Sequence, residues 1–591
     1  MFDPSKPPAT LAELGQRAFV NFPDRPYLGQ KEGKNYVFHT YAQIAARVCN
    51  LCGALLERGL ERGSRVAILG DNRREWAITD LACQMSGMVS VPIYATLPPG
   101  QIETILRDCG ASGIVVSDKS QRAKVEEVAP RLSELSFTWS YDEFPELEAK
   151  GAAFWEKNPG LYESTWPAAL PNDVATIIYT SGTTGEPKGV MLQHKSLISN
   201  VEAIVKIAPH LTPDEVFLSF LPLAHTYERT AGHFLPLRIG ASIGYTESLR
   251  TFDKNIAEVR PTLMACVPRL LEASREKILS TADSLPENRK KTFAAAIELA
   301  QKAGAHKARA KDARALNLVE KIKFLVFDRL VYAKIRDKFG GRMKHFISGG
   351  APMPPEVGAL FIGVGLEVLE GYGLTETSPV IAVNLPFHPK LGTVGPPLPG
   401  VEVKIADDGE ILARGATIMK GYWNKPDATR EVIDAQNWFH TGDIGELDKD
   451  GSLRITDRKK DLLVLANGKK VAPQPIELQL TQSRYIEQVV LLGDHLKTVS
   501  ALVVPSFPAL REWAKTQGLS ELKDQELATN AATQKLLRGE IEANTTHLAD
   551  FEKIKKFVVL SAPFSIQNGE MTPTLKIKRK VVAEKYGGLL E

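Results

Sequence analysis

Short apolar runs that alternate with helical patterns constrain the fold of this chain more than any other feature of its sequence. The segments "RVAILG" and "SGIVVSD" predict buried strands, and "EWAITDLACQMSG" and "PGQIETILRDCG" predict helices. The alternation continues, with further buried-strand patterns at "VATIIYT", "TLMACV" and "HFISGG". Because parallel strands are joined by helical crossovers, this order predicts an α/β fold with mainly parallel sheets flanked by helices.

A β-rich portion, followed by a different order of predicted strands and helices, indicates more than one domain. Residues 390–456 hold short strand patterns with Asp-Gly turns, and a charged stretch at residues 456–461 follows them. The remaining residues mix strands and helices in a smaller unit. Since 591 residues exceed what one hydrophobic core usually serves, we expect an N-terminal domain at 1–457 and a small α+β C-terminal domain at 458–591.

Composition and cysteine usage narrow the class of protein. Hydrophobic residues make up 43% of the chain and charged residues 24%, as in ordinary soluble globular proteins. The N-terminus lacks the pattern of a signal peptide, and no window approaches the roughly 18 uninterrupted apolar residues of a membrane span. Five cysteines, an odd and sparse set, fit a reducing compartment, so we expect a cytoplasmic protein. Cys49 and Cys52 form a C-x-x-C within a helical pattern, where buried thiols are commoner than a redox or metal site.

The net charge of +3 conceals a strongly basic segment. Residues 286–344 contain 16 Lys/Arg and 6 Asp/Glu, and their apolar residues have helical spacing. A solvated helical face is the favoured interpretation. Attraction to anionic lipid or to acidic cofactors is the alternative, which would place the protein in peripheral contact with the inner face of a membrane. We predict no nucleic-acid partner.

The stretch "YTSGTTGEPKGV" at residues 179–190 has the chemistry of a phosphate-binding loop. It is not a Walker A motif, because Pro187 replaces the second glycine and Gly189 replaces the Ser or Thr after Lys188. Glycines let backbone N–H groups converge on an anion, hydroxyl side chains add donors, and a lysine adds a positive charge. An ordinary turn-rich loop is the less favoured alternative.

Further motifs follow this loop in the order of one known superfamily. "FISGGAP", "GYGLTET", "WFHTGDIG" and "DRKKDLLVLANGKKVAPQPIE" each resemble a motif of the adenylate-forming (ANL) superfamily, as the loop itself does. "LPLAHTYER", "CVPRLLE" and "MTPTLKIKRK" are similar to the long-chain fatty-acid–CoA ligases of that superfamily. The resemblance covers nearly the whole chain. It implies ATP-dependent activation of a fatty acid to acyl-CoA through an acyl-adenylate, with release of AMP and pyrophosphate.

The resemblance also implies roles for individual residues. It assigns catalysis to Lys576, Glu376, His225 and Lys188, and Mg²⁺ binding to Thr180 and Glu376. His225, Gly349 and Gly373 are implied for the acyl group. The residues implied for ATP binding are Thr180, Ser181, Gly182, Thr183, Thr184, Gly185, Lys188, Gly349, Gly350, Ala351, Pro352, Gly371, Tyr372, Gly373, Thr375, Asp443, Ile455 and Arg458.

The same resemblance implies a mobile C-terminal domain. Rotation about Lys460 would remove the adenylation lysine and admit CoA along a passage formed by Gly468, Lys469 and Lys470. Leu575 stands where the superfamily usually has glycine before that lysine, so the assignment between Lys576 and Lys578 stays open. Two other functions also stay open: a fatty acyl-AMP ligase that loads an acyl carrier protein, and a catalytically weakened acyl-binding protein.

Overall fold

The computed structural model describes residues 3, 6–181, 187–310, 313–466, 468–494, 496–546, 548–565, 567–571 and 577–590. The chain divides into two compact units. Unit 1 comprises Met1–Lys404, Leu412–Thr441 and Leu447–Leu453, and unit 2 comprises Ile405–Ile411, Gly442–Glu446 and Arg454–Glu591. Among the described residues, no helix has both the length and the apolar character that crossing a membrane requires.

The described residues form strands and helices in regular alternation through most of unit 1. The strands are β1 Pro26–Glu32, β2 Asn35–Thr40, β3 Arg65–Leu69, β4 Val89–Ile93, β5 Gly113–Val116, β6 Phe137–Ser140, β7 Val174–Ser181, β8 Pro187–Gln193, β9 Val216–Ser219, β10 Ser242–Tyr245, β11 Leu263–Cys266, β12 His345–Ser348, β13 Glu367–Gly373, β14 Val380–Val383, β15 Val401–Ile405, β16 Glu410–Gly415, β17 Gly421–Tyr422, β18 Phe439–Leu447, β19 Leu453–Arg458, β20 Leu463–Val464, β21 Lys470–Val471, β22 Ile486–Leu492, β23 Val499–Pro505 and β24 Ile554–Val559.

The α-helices are α1 Leu11–Asn21, α2 Tyr41–Glu57, α3 Arg74–Met85, α4 Pro99–Cys109, α5 Lys119–Val128, α6 Phe144–Lys157, α7 Leu161–Thr165, α8 His194–Ile207, α9 Thr226–Glu228, α10 Leu235–Ile239, α11 Phe252–Val259, α12 Pro268–Ser280, α13 Glu287–Lys307, α14 Leu318–Phe327, α15 Ala333–Lys338, α16 Pro355–Gly363, α17 Pro426–Val432, α18 Pro473–Leu480, α19 Phe507–Thr516, α20 Asp524–Thr529, α21 Ala531–Asn544 and α22 Arg579–Tyr586. π-Helical turns lie at Arg229–Phe234 and Asp328–Tyr332. Short 3-10 helices lie at Ala129–Arg131, Tyr141–Glu143, Trp166–Ala168, Leu249–Thr251, Thr281–Ser284, Thr375–Thr377 and Gly587–Leu590.

Two large sheets of unit 1 confirm the predicted α/β fold. One has the strand order β17-β8-β7-β4-β3-β5-β6, and the other has the order β14-β13-β12-β11-β9-β10-β1-β2. The pairs between β3, β4, β5, β6 and β7 are parallel, as are those from β1 through β10, β9, β11 and β12 to β13. Antiparallel pairs occur at the edges, namely β1–β2, β13–β14, β7–β8 and β8–β17. The sheets are therefore mixed, with parallel interiors.

Helix starts and apolar faces explain how the sequence forms this architecture. At α2, the Thr40 side chain accepts from the Gln43 backbone N–H while the Gln43 side chain accepts from the Thr40 N–H, a capping box. The same helix buries Ile44, Val48 and Leu51 in the main core. Full burial of such a side chain stabilises the fold by about 1.5–3 kcal/mol.

The β-rich portion and the C-terminal portion also form where the sequence predicts them. Strands β15, β16, β18 and β19 form one sheet, and the division between the two units passes through these strands. Within unit 2, β22 pairs antiparallel with β23, and β23 pairs parallel with β24. Apolar residues such as Leu491, Val503 and Leu537 form a separate core there. The cysteines of α2, Cys49 and Cys52, are free thiols.

Candidate active site

The ends of two antiparallel strands, β7 and β8, frame the glycine-rich loop. Thr180 lies opposite Lys188, and the Ser181 backbone lies opposite Pro187. Both Thr180 and Lys188 are half-buried. Gly182, Thr183, Thr184 and Gly185 lie outside the described residues. The hairpin therefore holds one hydroxyl and one ammonium group on facing positions where the loop begins and ends.

A chain of side-chain contacts connects this hairpin to Glu376. The Lys188 ammonium lies over the Tyr422 ring, 5.1 Å from its centroid. The Tyr422 hydroxyl donates a hydrogen bond of 2.9 Å to Oε1 of Glu376. Burial, together with the Glu376 charge, raises the pKa of Tyr422 well above its ordinary value, so the phenol keeps its proton and remains a donor.

Backbone pairing explains why Tyr422 and Glu376 meet at this place. Strand β17 extends the sheet beyond β8, with Tyr422 opposite Val190. The Glu376 carbonyl accepts a hydrogen bond of 2.8 Å from the Met419 N–H, just before β17. Glu376 itself lies in the 3-10 helix that follows β13. The Glu376 main chain is thus held by the segment that leads into β17, and its carboxylate is held by Tyr422 on that strand.

The carboxyl ends of three parallel strands bring the "FISGGAP" and "GYGLTET" motifs side by side. In the register of β11, β12 and β13, Cys266 pairs with Ser348, and Ser348 pairs with Glu370. Gly349, which follows β12, and Gly371, which lies within β13, are therefore neighbours at one sheet edge. Such an edge is where open α/β sheets bind their ligands.

Close packing at this edge crowds a side chain on one glycine and excludes it on another. A Cβ on Gly349 would lie 3.3 Å from the Tyr227 ring, and one on Gly373 would lie 1.7 Å from the Pro379 carbonyl oxygen. Gly350 has a φ of +85°, in the left-handed region that favours glycine. The other predicted residues of these loops are Ala351 and Pro352, which are exposed, and Gly371, Tyr372 and Thr375, which are half-buried.

His225 lies at the N-terminus of α9, where its ring acts as the helix cap. Its Nδ1 accepts a hydrogen bond of 3.1 Å from the Tyr227 N–H, which assigns the proton of the neutral ring to Nε2. The Tyr227 hydroxyl donates to the Ile347 carbonyl of β12. His225 is therefore positioned relative to the Gly349 edge through Tyr227.

A buried ion pair lies four residues beyond His225. The Arg229 guanidinium bonds the Asp80 carboxylate through Nε, at 3.0 Å, and through Nη2. Arg229 also donates to the Thr176 hydroxyl at 2.7 Å and the Ser90 hydroxyl at 2.7 Å. Because Thr176 lies on β7, this network joins the His225 segment to the strand that leads into the phosphate loop.

Two buried carboxyl groups in this region have raised pKa values. Burial raises the pKa of Glu228 to about 8, against the Ser219 hydroxyl and the Phe220 amide, which act in the opposite sense. Burial likewise raises the pKa of Glu370 to about 8. Both side chains favour the neutral acid near neutral pH, so they add little negative charge at an edge expected to receive anions.

In unit 2, Asp443 and Arg458 form an ion pair on neighbouring strands. Nε of Arg458 lies 3.2 Å from Oδ1 of Asp443; the carboxylate is buried, whereas the guanidinium is 42% exposed. Ile455 lies on the same strand as Arg458 and is half-buried. The next residue, Lys459, pairs with Asp408 at 2.6 Å and with Glu410.

The predicted hinge and CoA-passage residues lie on the surface of unit 2. Lys460 is exposed just after β19, and Gly468, Lys469 and Lys470 are exposed around the start of β21. The Lys469 ammonium lies over the Phe551 ring, 4.4 Å from its centroid.

The two candidates for the adenylation lysine lie on either side of the start of the last described segment, 577–590. Lys576 lies outside the described residues, whereas Lys578 caps α22 and its N–H donates 2.7 Å to the Glu570 carbonyl. Its neighbour Arg579 forms a two-point contact with Glu477, with an Nη2–Oε2 distance of 2.8 Å. This contact fixes the start of α22 to α18.

The side chains that could bind Mg²⁺ offer only oxygen ligands. Within the described ranges, no group of three or more His, Cys, Asp or Glu residues could hold a metal ion. Mg²⁺ is usually bound by one or two protein oxygens, with phosphate and water completing its coordination. The Glu376 carboxylate and the Thr180 hydroxyl fit this pattern. A softer metal would favour several Cys or His ligands instead.

Sequence reasoning missed several residues that the structure places at the site. Tyr422 was not predicted, although an aromatic pair after a glycine, "GYW", was a signal in the sequence. Tyr227 lies inside the "LPLAHTYER" motif, from which only His225 was selected. No local signal could have paired Asp80 with Arg229.

The fold is that of an α/β protein with mixed sheets and a phosphate-loop hairpin, and comparison identifies its class. The profile of the AMP-binding enzyme family matches residues 15–423, and that of the AMP-binding enzyme C-terminal domain matches residues 460–591. The chain therefore belongs to the AMP-binding enzyme family.

The relatives narrow this assignment. The chain is 36% identical over 562 residues to the long-chain-fatty-acid–CoA ligase FadD15 of Mycobacterium bovis, covering 93% of this chain and 91% of the relative. It is 31% identical to human long-chain-fatty-acid–CoA ligase 6, covering 98% and 86%. The fold is similar to the crystal structure of the adenylation domain of a carboxylate reductase from Mycobacterium chelonae, with a TM-score of 0.75, 23% identity and coverage of 99% and 91%. The sequence resemblance to the long-chain ligases is confirmed.

Proposed function

We propose that this chain activates long-chain fatty acids to acyl-CoA through an acyl-adenylate, and releases AMP and pyrophosphate. In the first half-reaction the fatty carboxylate attacks the α-phosphate of ATP and expels pyrophosphate. In the second, the thiol of CoA attacks the acyl carbonyl and expels AMP. The names of the relatives across more than nine-tenths of the chain support this reaction and these substrates.

One observation carries the proposal at the level of chemistry. Lys188, Tyr422 and Glu376 form a continuous contact chain at the base of the phosphate loop, which joins a cation, a phenol and a carboxylate. The cation favours the β- and γ-phosphates, whose leaving charge it offsets. The carboxylate, oriented by the phenol, would hold a Mg²⁺ that offsets phosphate charge.

The proposed roles of the remaining phosphate and metal residues follow from this arrangement. Thr180 adds a hydroxyl ligand on the strand opposite Lys188, and Ser181, Gly182, Thr183, Thr184 and Gly185 supply loop donors. When bound, Mg²⁺ neutralises phosphate charge that develops as pyrophosphate leaves. Lys188 and the loop donors hold the triphosphate in the orientation that the incoming carboxylate requires.

The acyl and nucleoside groups are assigned to other parts of the chain. The Nε2–H of His225 orients the fatty carboxylate, and Gly349 and Gly373 present backbone rather than side chains to the acyl group. Tyr372 stacks on adenine, and Asp443, oriented by Arg458, accepts the ribose hydroxyls. Gly350, Ala351, Pro352, Gly371, Thr375 and Ile455 complete the proposed nucleotide contacts.

Domain alternation about Lys460 forms part of the proposal. The domains are 1–457 and 458–591, the adenylation lysine is Lys576 or Lys578, and Gly468, Lys469 and Lys470 line the CoA passage. Lys460→Pro should impair thioester formation more than adenylation, because proline restricts backbone rotation. Lys460→Ala, which keeps that freedom, is the matched control. Equal loss of both half-reactions in single-turnover assays would reject the hinge.

The deciding experiment incubates the protein with ATP, Mg²⁺ and palmitate, with and without CoA, and follows AMP, ADP and palmitoyl-CoA together. AMP and palmitoyl-CoA should appear in step only when CoA is present. Bound acyl-adenylate without thioester would indicate that a carrier protein is the acceptor, and release of ADP would reject the proposal.

The proposed location of the protein is the cytoplasm, with peripheral contact at an anionic membrane.

A further inference from the structure

An exposed apolar face distinguishes α14 from the rest of the surface. Fourteen large hydrophobic side chains are exposed in the described part of the chain, and six of them lie between residues 318 and 330. They are Leu318, Val319, Ile322, Leu325, Val326 and Leu330, each between 50% and 75% exposed. All six are aliphatic. Clustered exposed apolar side chains, unlike scattered ones, indicate an interaction site.

The packing of α14 does not account for this face. Phe324 and Phe327, on the other side of the helix, pack against the core of unit 1, and the Phe324 ring lies 5.1 Å from that of Tyr332. At about 100° per residue, the five exposed side chains within α14 occupy an arc of roughly 120° away from the two phenylalanines, and Leu330 follows in the adjoining π-helical turn. The helix is thus anchored by one face and presents a second apolar face outward.

Positive charges border the apolar face. Lys321 and Lys323 lie on its two sides, and Arg329 lies within its C-terminal end. None of these three exposed side chains forms an ion pair with a described carboxylate, whereas Glu320, on the packed side, pairs with Lys302. The surrounding residues 286–344 hold 16 Lys/Arg and 6 Asp/Glu. The partner should therefore be anionic and apolar together.

We propose that α14 lies in the headgroup region of an anionic lipid bilayer. Its aliphatic side chains enter the acyl boundary, and Lys321, Lys323 and Arg329 contact lipid phosphates, with the lysine stems covering apolar surface. A protein-binding face would be expected to hold aromatic residues at its centre, and this one has none. The inference rests on the proposed function in one respect: a long-chain fatty acid partitions into the same bilayer.

The test measures flotation of the whole protein with vesicles, without ATP, fatty acid or CoA. Vesicles of phosphatidylcholine with phosphatidylglycerol should bind the protein, vesicles of phosphatidylcholine alone should bind it less, and added salt should weaken binding. The double substitution Leu318→Glu/Leu325→Glu should lower the partition coefficient at least about tenfold. Its matched control, Leu161→Glu/Leu170→Glu, replaces exposed leucines elsewhere and should change it less than about twofold.

A charge variant tests the lysines separately. Lys321→Glu/Lys323→Glu should abolish the preference for phosphatidylglycerol, whereas Lys119→Glu/Lys157→Glu, which reverses two exposed lysines elsewhere, should keep it. Equal flotation of all variants, or no flotation of the wild type, would overturn the proposal. A concentration-dependent dimer that Leu318→Glu/Leu325→Glu dissociates, with no vesicle binding, would show that the face joins two copies of the chain and would also overturn it.

Ligase assays keep this inference separate from the proposed function. The four double variants should form palmitoyl-CoA at the wild-type rate when palmitate is supplied on albumin, and they should keep the wild-type Tm. Flotation without any ligase activity would reject the proposed function and still support the proposed membrane-binding surface. Ligase activity without flotation would reject the surface alone.

Discussion

Two arginine–carboxylate pairs in this molecule have the same chemistry and opposite surroundings. Arg229 and Asp80 are 1% and 0% exposed, and Arg229 also donates to the hydroxyls of Thr176 and Ser90. Arg458 and Asp443, in unit 2, leave the guanidinium 42% exposed. A buried pair is shut off from solvent and ligands and fixes neighbouring segments, whereas an open pair is accessible to a ligand. Burial therefore separates a structural pair from one suited to a substrate.

Removal of the buried arginine should have the largest effect. Arg229→Ala leaves the Asp80 carboxylate uncompensated in the core, so the free energy of unfolding should fall by about 3–5 kcal/mol. Denaturant unfolding would measure it. The paired substitution Arg229→Met/Asp80→Leu removes both charges and should recover most of the loss. If Arg229→Ala cost as little as an exposed pair does, the contrast between the two pairs would disappear.

The next effect concerns the carboxylate at the phosphate loop. Glu376→Gln should lower the rate of ATP–pyrophosphate exchange on the order of a hundredfold, because it removes the charge proposed to bind Mg²⁺, and should leave the Tm almost unchanged. Tyr422→Phe, which removes only the hydrogen bond to Glu376, should lower the rate about tenfold. An unchanged exchange rate in Glu376→Gln would contradict the assigned role.

A buried acid without a charged partner should make stability depend on pH. The pKa of Glu228 rises from 4.5 to about 8 through burial, so its contribution is complete below 4.5 and is lost as pH rises through 8. Glu228→Gln should therefore be more stable than the wild type by a few kcal/mol above pH 8 and nearly equal below pH 4.5. Thermal unfolding across this range would measure it, with the exposed Glu126→Gln as control. Parallel profiles for wild type and Glu228→Gln would exclude a neutral buried acid.

The smallest stability effect should come from the open pair. Arg458→Ala should change the free energy of unfolding by about 0.5 kcal/mol or less, because solvent screens the pair. It should raise the KM for ATP instead, since Asp443 loses the group that orients it. A large loss of stability without any change in the KM for ATP would show that this pair is structural, as the pair of Arg229 and Asp80 is.

Local patterns predicted the elements well. The strands β3, β5, β7, β11 and β12 and the helices α3 and α4 form within the segments whose apolar spacing predicts them. Burial on one face leaves such a period in the sequence itself, which is why these segments could be recognised. The basic segment also forms helices, α13, α14 and α15, as its spacing indicates.

Pairings between distant parts of the chain could not be predicted. Asp80 and Arg229 meet across 149 residues, and nothing near either residue specifies the other. The contact of Tyr422 with Glu376 depends on the pairing of β17 with β8, and a two-residue strand leaves almost no periodic signal. Apolar spacing likewise predicted a helix at α14, but it did not indicate that Phe324 and Phe327 would pack against the core while the other apolar side chains stay exposed. Tertiary packing decides all three.

The pairing of β17 with β8 has a consequence for biosynthesis. Met191 lies opposite Gly421, so during translation the phosphate-loop hairpin emerges long before the strand that covers its outer side. Until that strand emerges, β8 is an open edge whose unpaired N–H and C=O groups can recruit another nascent chain. A message truncated before codon 421 should therefore yield an aggregation-prone product even though nearly all of the parallel sheet has already been made.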